Sequence, residues 1–420
     1  MRSAIFALVV TVVTAMSARA RAGGFEIDEQ SAPGVGMAGA RTAVADDAAT
    51  VFYNPAGMAF QSGLSTLFGG QLVHVSTQVS GIDNFKINYT TAWPTVYLTQ
   101  RLGSYFAVGV GGFANFGEHF DYPPGYGGRF AGTFVDVTPY TFNPSIAIRP
   151  LSFFSIGGGM DVTFASLQVR RALDFGAAEG QIQTTLFAAA VGGNAGLMID
   201  FVPHYLRFGF SYRSRIDLDF DGHAAITGPI ELRQQTGNKL DASTTLVLPH
   251  NFSFGLAARP NRSLLITTDF RYTLWRDIQT LTLTVTNPEA PTGTPPSEQA
   301  VVLNLRNSWA IRAGLEGSVF DRHLKLRIGA GYDTSPVPLS NLQPLLPDTE
   351  RVLASAGLGY HSELWSIDAG YMFVFLFQKT SQFPDYRGTF SNNGHVVSLT
   401  ATIRLAKWGL PVGNPDFKDE

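Results

Sequence analysis

The sequence has no cysteine, little charge and no long apolar run after its N-terminus. The lack of cysteine in 420 residues excludes a disulfide framework and thiolate metal sites. Charged residues make up 15% of the chain, below the roughly one quarter of a typical globular protein. No later apolar run reaches the roughly 18 residues that a membrane helix needs, which excludes a helical membrane protein. The net charge of -3 provides no basic stripe, so we expect no nucleic-acid partner.

The residues that are abundant point to an unusual surface. Hydrophobic residues make up 45% of the chain, and it contains 44 glycines and 32 phenylalanines. An aromatic share of 12% excludes a disordered chain. Ordinary apolar content with little charge indicates that much of the surface contacts something other than water.

The N-terminus has the features of a cleavable secretion signal, which we predict over residues 1–22. Arg2 supplies the positive end, residues 4–16 are mostly apolar, and Ala20-Arg21-Ala22 fits the small-x-small cleavage rule. The alternative, a single membrane anchor, is disfavoured because the apolar stretch is too short. We therefore expect an exported chain that begins at Gly23.

From about Leu64 onward, apolar residues recur at every second position, which is typical of strands with unlike faces. One such set is Leu206, Phe208, Phe210, Tyr212, Ile216, Leu218 and Phe220, and others run from Leu324 to Tyr332 and from Val397 to Leu405. The basic residues of the opposite face are predicted to point inward: Arg207, Arg213, Arg215, Lys325 and Arg327. A soluble sandwich would alternate in the same way, so the lengths of strands and connections must decide.

Those lengths favour an outer-membrane barrel. Many alternating runs exceed the five or six residues of common soluble strands, and short turns alternate with long polar links, as in outer-membrane barrels. The long links are predicted at residues 80–90, 117–137, 221–241, 286–300, 334–349 and 379–394. We predict an all-β fold, a transmembrane antiparallel β-barrel of about fourteen strands, over residues 62–405. A bulge or the barrel rim is expected near Trp275, where the apolar parity slips, and a dispensable C-terminal tail over residues 406–420.

Residues 23–61 do not alternate, and they carry a series of short motifs. The motifs are Gly24-Phe25, Glu29-Gln30-Ser31, Gly34-x-Gly36, Ala45-Asp46-Asp47 and Asn54-Pro55-Ala56, and Asn143-Pro144-Ser145, Gly157-Gly158-Gly159, Tyr212-Arg213-Ser214 and Trp275 follow later. This ordered set resembles the FadL/TodX family, outer-membrane transporters of long-chain fatty acids and other hydrophobic compounds. The resemblance implies a monomeric fourteen-strand barrel in a bilayer with lipopolysaccharide, whose lumen is closed by an N-terminal hatch over residues 23–61. It departs at the end, because the family's last strand usually finishes the chain with an aromatic residue.

Two motifs could suggest other chemistry. Gly34-Val35-Gly36-Met37-Ala38-Gly39 matches a dinucleotide fingerprint by letter, but no strand precedes it and no βαβ unit follows, so we interpret it as tight bends. Asp46-Asp47 could bind a cation, although contacts with lumen arginines or solvent are the more common role. Since no Gly-x-Ser-x-Gly or His-Glu-x-x-His occurs, we expect neither an enzyme nor a cofactor or metal.

The candidate site residues fall into three groups. Asn54, Pro55 and Ala56 are predicted to fix a turn in the hatch. Gly109, Gly111 and Gly112 lie on the third strand, either as a tight wall position beside the hatch or as a kink that opens the wall; the family resemblance favours the kink. The aromatic residues Phe25, Phe113, Phe116, Phe120 and Tyr122 form a ligand groove or pack onto neighbouring loops.

These features together predict uptake of long-chain fatty acids or other hydrophobic compounds. The ligand would bind in the barrel and leave by lateral diffusion through a wall opening. The alternative is a general porin or a structural outer-membrane barrel, and a hydrolase is the third possibility.

Overall fold

The computed structural model describes residues 26–174, 179–203, 205–228, 240–288, 295–320, 323–344, 346–384 and 386–405. The predicted signal segment, the predicted tail and Phe25 lie outside the described residues. No helix in these ranges is long and apolar enough to cross a bilayer.

Twenty strands form one antiparallel sheet. They are β1 (Leu64–Ser80), β2 (Phe85–Leu102), β3 (Phe106–Phe113), β4 (Glu118–Asp121), β5 (Phe134–Leu151), β6 (Phe154–Asp174), β7 (Glu179–Val202), β8 (Leu206–Arg213), β9 (Ile216–Thr227), β10 (Leu240–Leu248), β11 (Asn251–Asn261), β12 (Leu264–Thr273), β13 (Thr280–Thr286), β14 (Ser297–Val302), β15 (Ser308–Val319), β16 (Leu324–Asp333), β17 (Arg351–His361), β18 (Trp365–Leu376), β19 (Lys379–Thr380) and β20 (Thr389–Leu405).

The sheet closes on itself as a barrel. The first strand pairs with the last, from Leu64 opposite Leu405 to Ser80 opposite Thr389. We call each passage of the chain along the barrel wall a crossing. Several crossings consist of two strands separated by a short irregular segment, so the twenty strands make fourteen crossings. The predicted all-β, fourteen-strand antiparallel barrel is confirmed.

Burial shows which face of the wall points inward. On β16, Lys325 and Arg327 are buried, whereas Leu326 and Ile328 are 48% and 58% exposed. A soluble sandwich would bury the apolar face instead, so this face is suited to lipid. Exposed aromatic rings lie at the short turns, as expected for a membrane interface: Tyr105, Phe106, Phe153, Tyr205, Phe320 and Trp365.

The extracellular ends of several crossings reverse this arrangement. Ile216, Leu218 and Phe220 on β9 are buried, whereas Phe208 and Phe210 on β8 face outward and are half-buried. The prediction that all five share one face is therefore wrong, because residues 214–215 interrupt the crossing and turn the chain.

The same interruption corrects one predicted inward residue. Arg215 is exposed and pairs with Asp217, whose carboxylate lies 2.5 Å from its Nε. Asp217 and Asp219 are exposed on the outer face of β9, which is therefore suited to water and not to lipid.

Neighbouring crossings break at matching places. A 3₁₀ helix, Trp275–Asp277, lies between β12 and β13 at the predicted parity slip. Beyond it, Leu281 and Leu283 pack against a buried apolar cluster that includes Phe220 and Leu246. We call β9, β10, β13 and β14 the upper extension; its inner face is apolar.

The loops are shorter than predicted in several places, including the links at 117–137, 286–300 and 379–394, into which strands extend. Residues 81–84 alone join β1 to β2, because residues 85–90 alternate and continue the ladder with β1. The link predicted at 221–241 begins later, since β9 extends to Thr227.

Candidate functional site

Residues 26–61, which we call the N-terminal segment, lie against the inner wall of the barrel. Ser31 accepts a hydrogen bond from the Gly34 amide at 3.2 Å and caps a short helix, Ala32–Gly36. A Cβ on Gly36 would lie 3.0 Å from the Cα of Gly357, so glycine permits this close contact with β17. Gly34 and Gly36 therefore lie in a helix and not in the tight bends predicted for them, whereas Gly39, with a φ of 81°, lies in the turn that follows the helix.

Asn54 connects the segment to the wall. Its amide nitrogen donates to the carbonyl oxygens of Thr42 at 2.9 Å and Leu197 at 3.0 Å. Its side-chain oxygen accepts from the Ala56 amide at 3.2 Å, at the start of a 3₁₀ helix, Pro55–Phe60. The side chain thus fixes both the local turn and its position on β7.

Pro55 and Ala56 contact a glycine-lined part of the wall. A Cβ on Gly157 would lie 2.7 Å from both the Pro55 carbonyl carbon and the Ala56 nitrogen. Ser155 also donates to the Ala56 carbonyl oxygen at 2.8 Å. Pro55 and Ala56 therefore fit closely against Gly157, the first residue of the glycine triplet of β6.

The acidic pair of the segment has a partner of its own. Arg41 contacts both carboxylates, with its Nη2 2.9 Å from Asp47 Oδ2 and a closer contact to Asp46. Burial raises the pKa of Asp47, and Arg41 opposes that effect. The expected arginine contact exists, but the arginine belongs to the segment and not to the wall.

A second ion-pair network joins the start of the segment to the wall. Asp28 pairs with Arg271 and with Arg312, the latter at 2.8 Å. Asp333 in turn lies 2.9 Å from both Arg312 and Arg351. Because these charges are buried, removing one partner would leave the others without compensation.

Burial also affects two neighbouring carboxyl groups of the segment. It raises the pKa of Glu26, against the opposing charge of Arg271, and the pKa of Glu29, against that of Arg312. The lumen at this level therefore disfavours additional negative charge.

Other inward basic residues are paired with wall carboxylates that sequence reasoning missed. Arg213 lies 2.5 Å from Asp161, and Arg327 lies 2.7 Å from Glu316 and 2.6 Å from Asp368. Lys325 also pairs with Glu316, at 3.2 Å, and Arg207 pairs with Asp200, at 2.5 Å. The signal was available for two of these acids, because Glu316 and Asp200 lie directly opposite Arg327 and Arg207 on the neighbouring strand. Asp161 and Asp368 each lie one strand further away.

The predicted glycines of the third crossing lie in an intact part of the wall. From Phe106 to Gly112, β3 pairs with β2 on one side and β5 on the other. A Cβ on Gly109 would lie 2.5 Å from the Met58 sulfur. The structure thus places Gly109 in the first of the two predicted roles, a tight wall position beside the segment, and Gly111 and Gly112 in the same paired stretch.

The interruption of this crossing comes next, at residues 114–117, which we call the wall break. The N-terminal segment satisfies its backbone: the Ile27 amide donates to the Asn115 oxygen at 2.9 Å, and the Gln30 side chain donates to the Ala114 oxygen at 2.7 Å. Tyr97 donates to the Gln30 side-chain oxygen at 3.1 Å. The segment therefore takes the place of a neighbouring strand at this point.

Beside the wall break, β2 has an edge. Among the described strands, residues 85–95 of β2 form a ladder only with β1. Side-chain rings occupy the gap: the Tyr89 and Phe120 rings lie 5.6 Å apart, and the Trp93 and Tyr140 rings 6.0 Å apart. Trp93 is buried in the lumen whereas Tyr140 is on the outer face, so their rings meet through the wall.

The other predicted aromatic residues are packed. Phe113 stacks on Tyr97, Phe116 contacts Trp275, and Phe120 stacks on Tyr122. All six of these residues are at most 6% exposed. In this conformation these aromatic residues pack onto neighbouring residues and do not form an open ligand groove. Phe120 also borders a cavity.

That cavity has a volume of about 170 Å³ and opens between the N-terminal segment and the wall break. Its apolar lining includes Ile27, Val75, Trp93 and Val374, and Gly117 forms part of its edge. Sequence reasoning missed this site because its residues come from strands at both ends of the chain.

The chain is similar to known outer-membrane proteins over nearly its whole length. The sequence model described as "Outer membrane protein transport protein (OMPP1/FadL/TodX)" matches residues 13–405. A long-chain fatty acid transport protein of Salmonella typhi is 26% identical over 398 residues, covering 86% of this chain and 89% of the relative.

Solved structures share the fold. A Pseudomonas aeruginosa FadL homologue superposes with a TM-score of 0.83 at 20% identity, covering 91% of this chain and all (100%) of the homologue. The Ralstonia pickettii toluene transporter TbuX gives a TM-score of 0.68 at 17% identity, covering 89% and 98% of the two chains. This chain is a barrel of the bacterial outer membrane, and it belongs to the OMPP1/FadL/TodX family of outer-membrane transport proteins.

Proposed function

We propose that the protein takes up hydrophobic compounds by holding them in the cavity and releasing them sideways through the wall break. The observation that carries this proposal is that Trp93 and Gly117 belong both to the cavity lining and to the gap in the wall. Relatives named for long-chain fatty acids and for toluene support the ligand class. One barrel contains the whole path, so a monomer in the lipid and lipopolysaccharide bilayer is sufficient.

An apolar route leads from outside to the cavity. The upper extension has an apolar interior in which Phe120 and Tyr122 pack, and Phe120 also lines the cavity. A hydrophobic compound would gain by leaving water at each step of this route.

The exit is closed by side chains and by the start of the N-terminal segment. Rings fill the gap beside β2 without a backbone ladder, so rotation of Trp93 would open it at less cost than separating two paired strands. Ile27 and Gln30 hold the wall break from inside. A ligand can shift this segment only by the difference in its affinity for the closed and open states.

Filling the gap tests the exit. A Cβ on Gly117 would lie 2.6 Å from the Trp93 ring, so Gly117→Leu should wedge the ring against the wall. We expect uptake by cells to fall by about tenfold, the effect of about 1.4 kcal/mol in a barrier, and toluene binding to purified protein to fall less, because Gly117 forms only the edge of the cavity.

Gly125→Leu is the matched control, because a Cβ on this loop glycine meets nothing within 4 Å. It should leave both measurements unchanged. Normal uptake by a well-folded Gly117→Leu protein would contradict the lateral exit and favour release at the periplasmic end.

A further inference from the structure

We propose that the cavity selects a monoaromatic compound whose polar end is an uncharged hydrogen-bond donor, such as an alkylphenol, over a carboxylate of the same size. This inference rests on the proposed uptake through the same cavity, and it names the ligand class that the lining recognises.

The size of the cavity suits a single ring. Its volume of about 170 Å³ is close to the roughly 150 Å³ of an apolar protein cavity that binds benzene. Val75, Trp93 and Val374 give this part of the lining its apolar character. A ring with a short alkyl group fits that space.

The polar end of the cavity presents acceptors that lack a donor. Thr77 of β1 and Asn392 of β20 are cross-strand partners, and both line the cavity. The Asn392 amide nitrogen donates to the Pro347 oxygen at 2.7 Å, which fixes the orientation of the amide. Its Oδ1 atom is buried and, among the described residues, receives no hydrogen bond; the Thr77 hydroxyl is likewise unpaired.

The Asn392 oxygen recognises a donor and nothing else, whereas the Thr77 hydroxyl can both donate and accept. The amide oxygen cannot donate, so an ether or carboxylate oxygen placed beside it gains no hydrogen bond. A ligand hydroxyl would satisfy it and remove the cost of an unpaired buried acceptor.

The charge of the lining acts in the same direction. Five carboxyl groups line the cavity: Glu26, Glu29, Glu118, Asp333 and Asp348. The two basic lining groups already have carboxylate partners, Arg351 with Asp333 at 2.9 Å and His119 with Asp136 at 2.7 Å. A ligand carboxylate would therefore find no unpaired cation among these lining groups.

The cavity's own acids experience the same effect. Burial raises the pKa of Glu26 and Glu29 even with arginines nearby. A ligand carboxylate in that position would lose its hydration in the same way, whereas a phenol would not.

Three probes with the same ethyl-substituted ring separate donor from charge: 4-ethylphenol, its methyl ether 4-ethylanisole, and 4-ethylbenzoate. Binding is measured at pH 7 to the full protein in lipid nanodiscs, with empty nanodiscs subtracted. We expect 4-ethylphenol to bind about tenfold more tightly than either of the other two probes. A tenfold difference in affinity corresponds to the free energy of about one hydrogen bond between uncharged groups.

Two variants assign the preference to the Asn392 oxygen. Asn392→Leu should reduce the ratio of phenol to anisole affinity toward one, whereas Thr77→Val removes a hydroxyl that can serve both probes and should leave the ratio well above one. Thr95→Val is the control, because Thr95 is a buried, inward threonine of β2 outside the cavity lining. If Asn392→Leu fails to fold, Asn392→Ala tests the same assignment.

The outcomes are distinct. Equal affinity for phenol and anisole, or tighter binding of the benzoate, overturns this inference and leaves the proposed uptake intact. An unchanged ratio in Asn392→Leu overturns the assignment to Asn392. Failure of all three probes and of toluene to bind contradicts the proposed cavity itself.

Discussion

Two regions of the same wall place their polar residues on opposite sides. At the level of β16, Lys325 and Arg327 point into the lumen and Ile328 points out. In the upper extension, Phe220 points in and Asp219 points out. Both regions have the same alternating pattern, so the alternation alone does not fix which face is inside.

The surroundings decide the difference. Around β16 the outer face is suited to lipid, and the charged side chains of Lys325 and Arg327 are directed into the lumen, where wall carboxylates pair with them. The outer face of the upper extension is charged and suited to water, so this region buries apolar side chains as a soluble sheet does. Irregular segments such as the 3₁₀ helix Trp275–Asp277 connect the two regions and change which side chains face the lumen.

The largest expected effect comes from breaking an ion pair of the lower region. Arg327→Leu would leave Glu316 and Asp368 without their guanidinium, and losing one partner of a buried pair costs about 3–5 kcal/mol. Folding is measured by heat-modifiable migration on a gel and by the urea midpoint in detergent.

Arg215→Leu is the counterpart in the upper extension, where the pair with Asp217 is exposed. It should hardly change the midpoint, since exposed pairs contribute little. Equal destabilisation by the two variants would contradict the distinction between the regions.

A charge placed on the outer face should separate the regions next. Ile328→Lys puts an ammonium group in lipid, which costs about 2–4 kcal/mol near the bilayer midplane. Asp219→Lys puts the same group in water and should be tolerated. Refolding yield into lipid vesicles checks this, and poor yield for Asp219→Lys would place the upper extension in the membrane.

The sequence allowed the barrel to be predicted, but not the switch of faces within it. Leu326 and Ile328 alternate with Lys325 and Arg327, and strand length favoured lipid outside. Phe210 and Phe220 are both at even positions, so the alternation alone predicts that they share one face. Nothing in the sequence shows that the interruption at residues 214–215 reverses the face.

The candidate site was harder to predict for a different physical reason. A glycine can permit either a gap or a close contact, and only Met58 beside Gly109 shows which applies. The contact between Thr77 and Asn392 depends on the register in which the first and last strands close the barrel. Local pattern carries no information about either arrangement.

Asn54→Ala tests how the N-terminal segment is held in the lower region. It removes the donor to the Thr42 and Leu197 oxygens and the cap of the Pro55–Phe60 helix, and a lost cap or unpaired group costs about 1–3 kcal/mol. We expect an intact heat-resistant barrel, faster hydrogen exchange in the segment and altered uptake. Asn261→Ala, at an exposed turn, is the control; unchanged exchange in Asn54→Ala would mean that the segment is held by other contacts.

Two glycines of the third crossing sharpen the comparison of inner and outer faces. Gly109→Val should displace Met58 and Val51 and loosen the segment. A Cβ on Gly112 would meet only Val96, at 3.1 Å, so Gly112→Val should have the smaller effect. Protease accessibility of the segment measures both, and equal accessibility would show that neither glycine supports its docking.

The smallest expected effect concerns a single proton on the N-terminal segment. Burial raises the pKa of Glu29 above its ordinary value, so its contribution to docking is present at low pH and declines as the pH rises through the raised pKa. Glu29→Gln keeps an uncharged side chain at every pH, and its contact with Arg312, at 3.8 Å, is weak enough to lose. The variant and the wild type should therefore show equal hydrogen exchange in residues 26–31 at pH 5, and the variant should exchange more slowly at pH 9. Comparing the two proteins at each pH cancels the intrinsic exchange rates. Faster exchange in the variant at pH 9 would mean that the Glu29 charge holds the segment, and that the lower lumen favours a negative charge at this position after all.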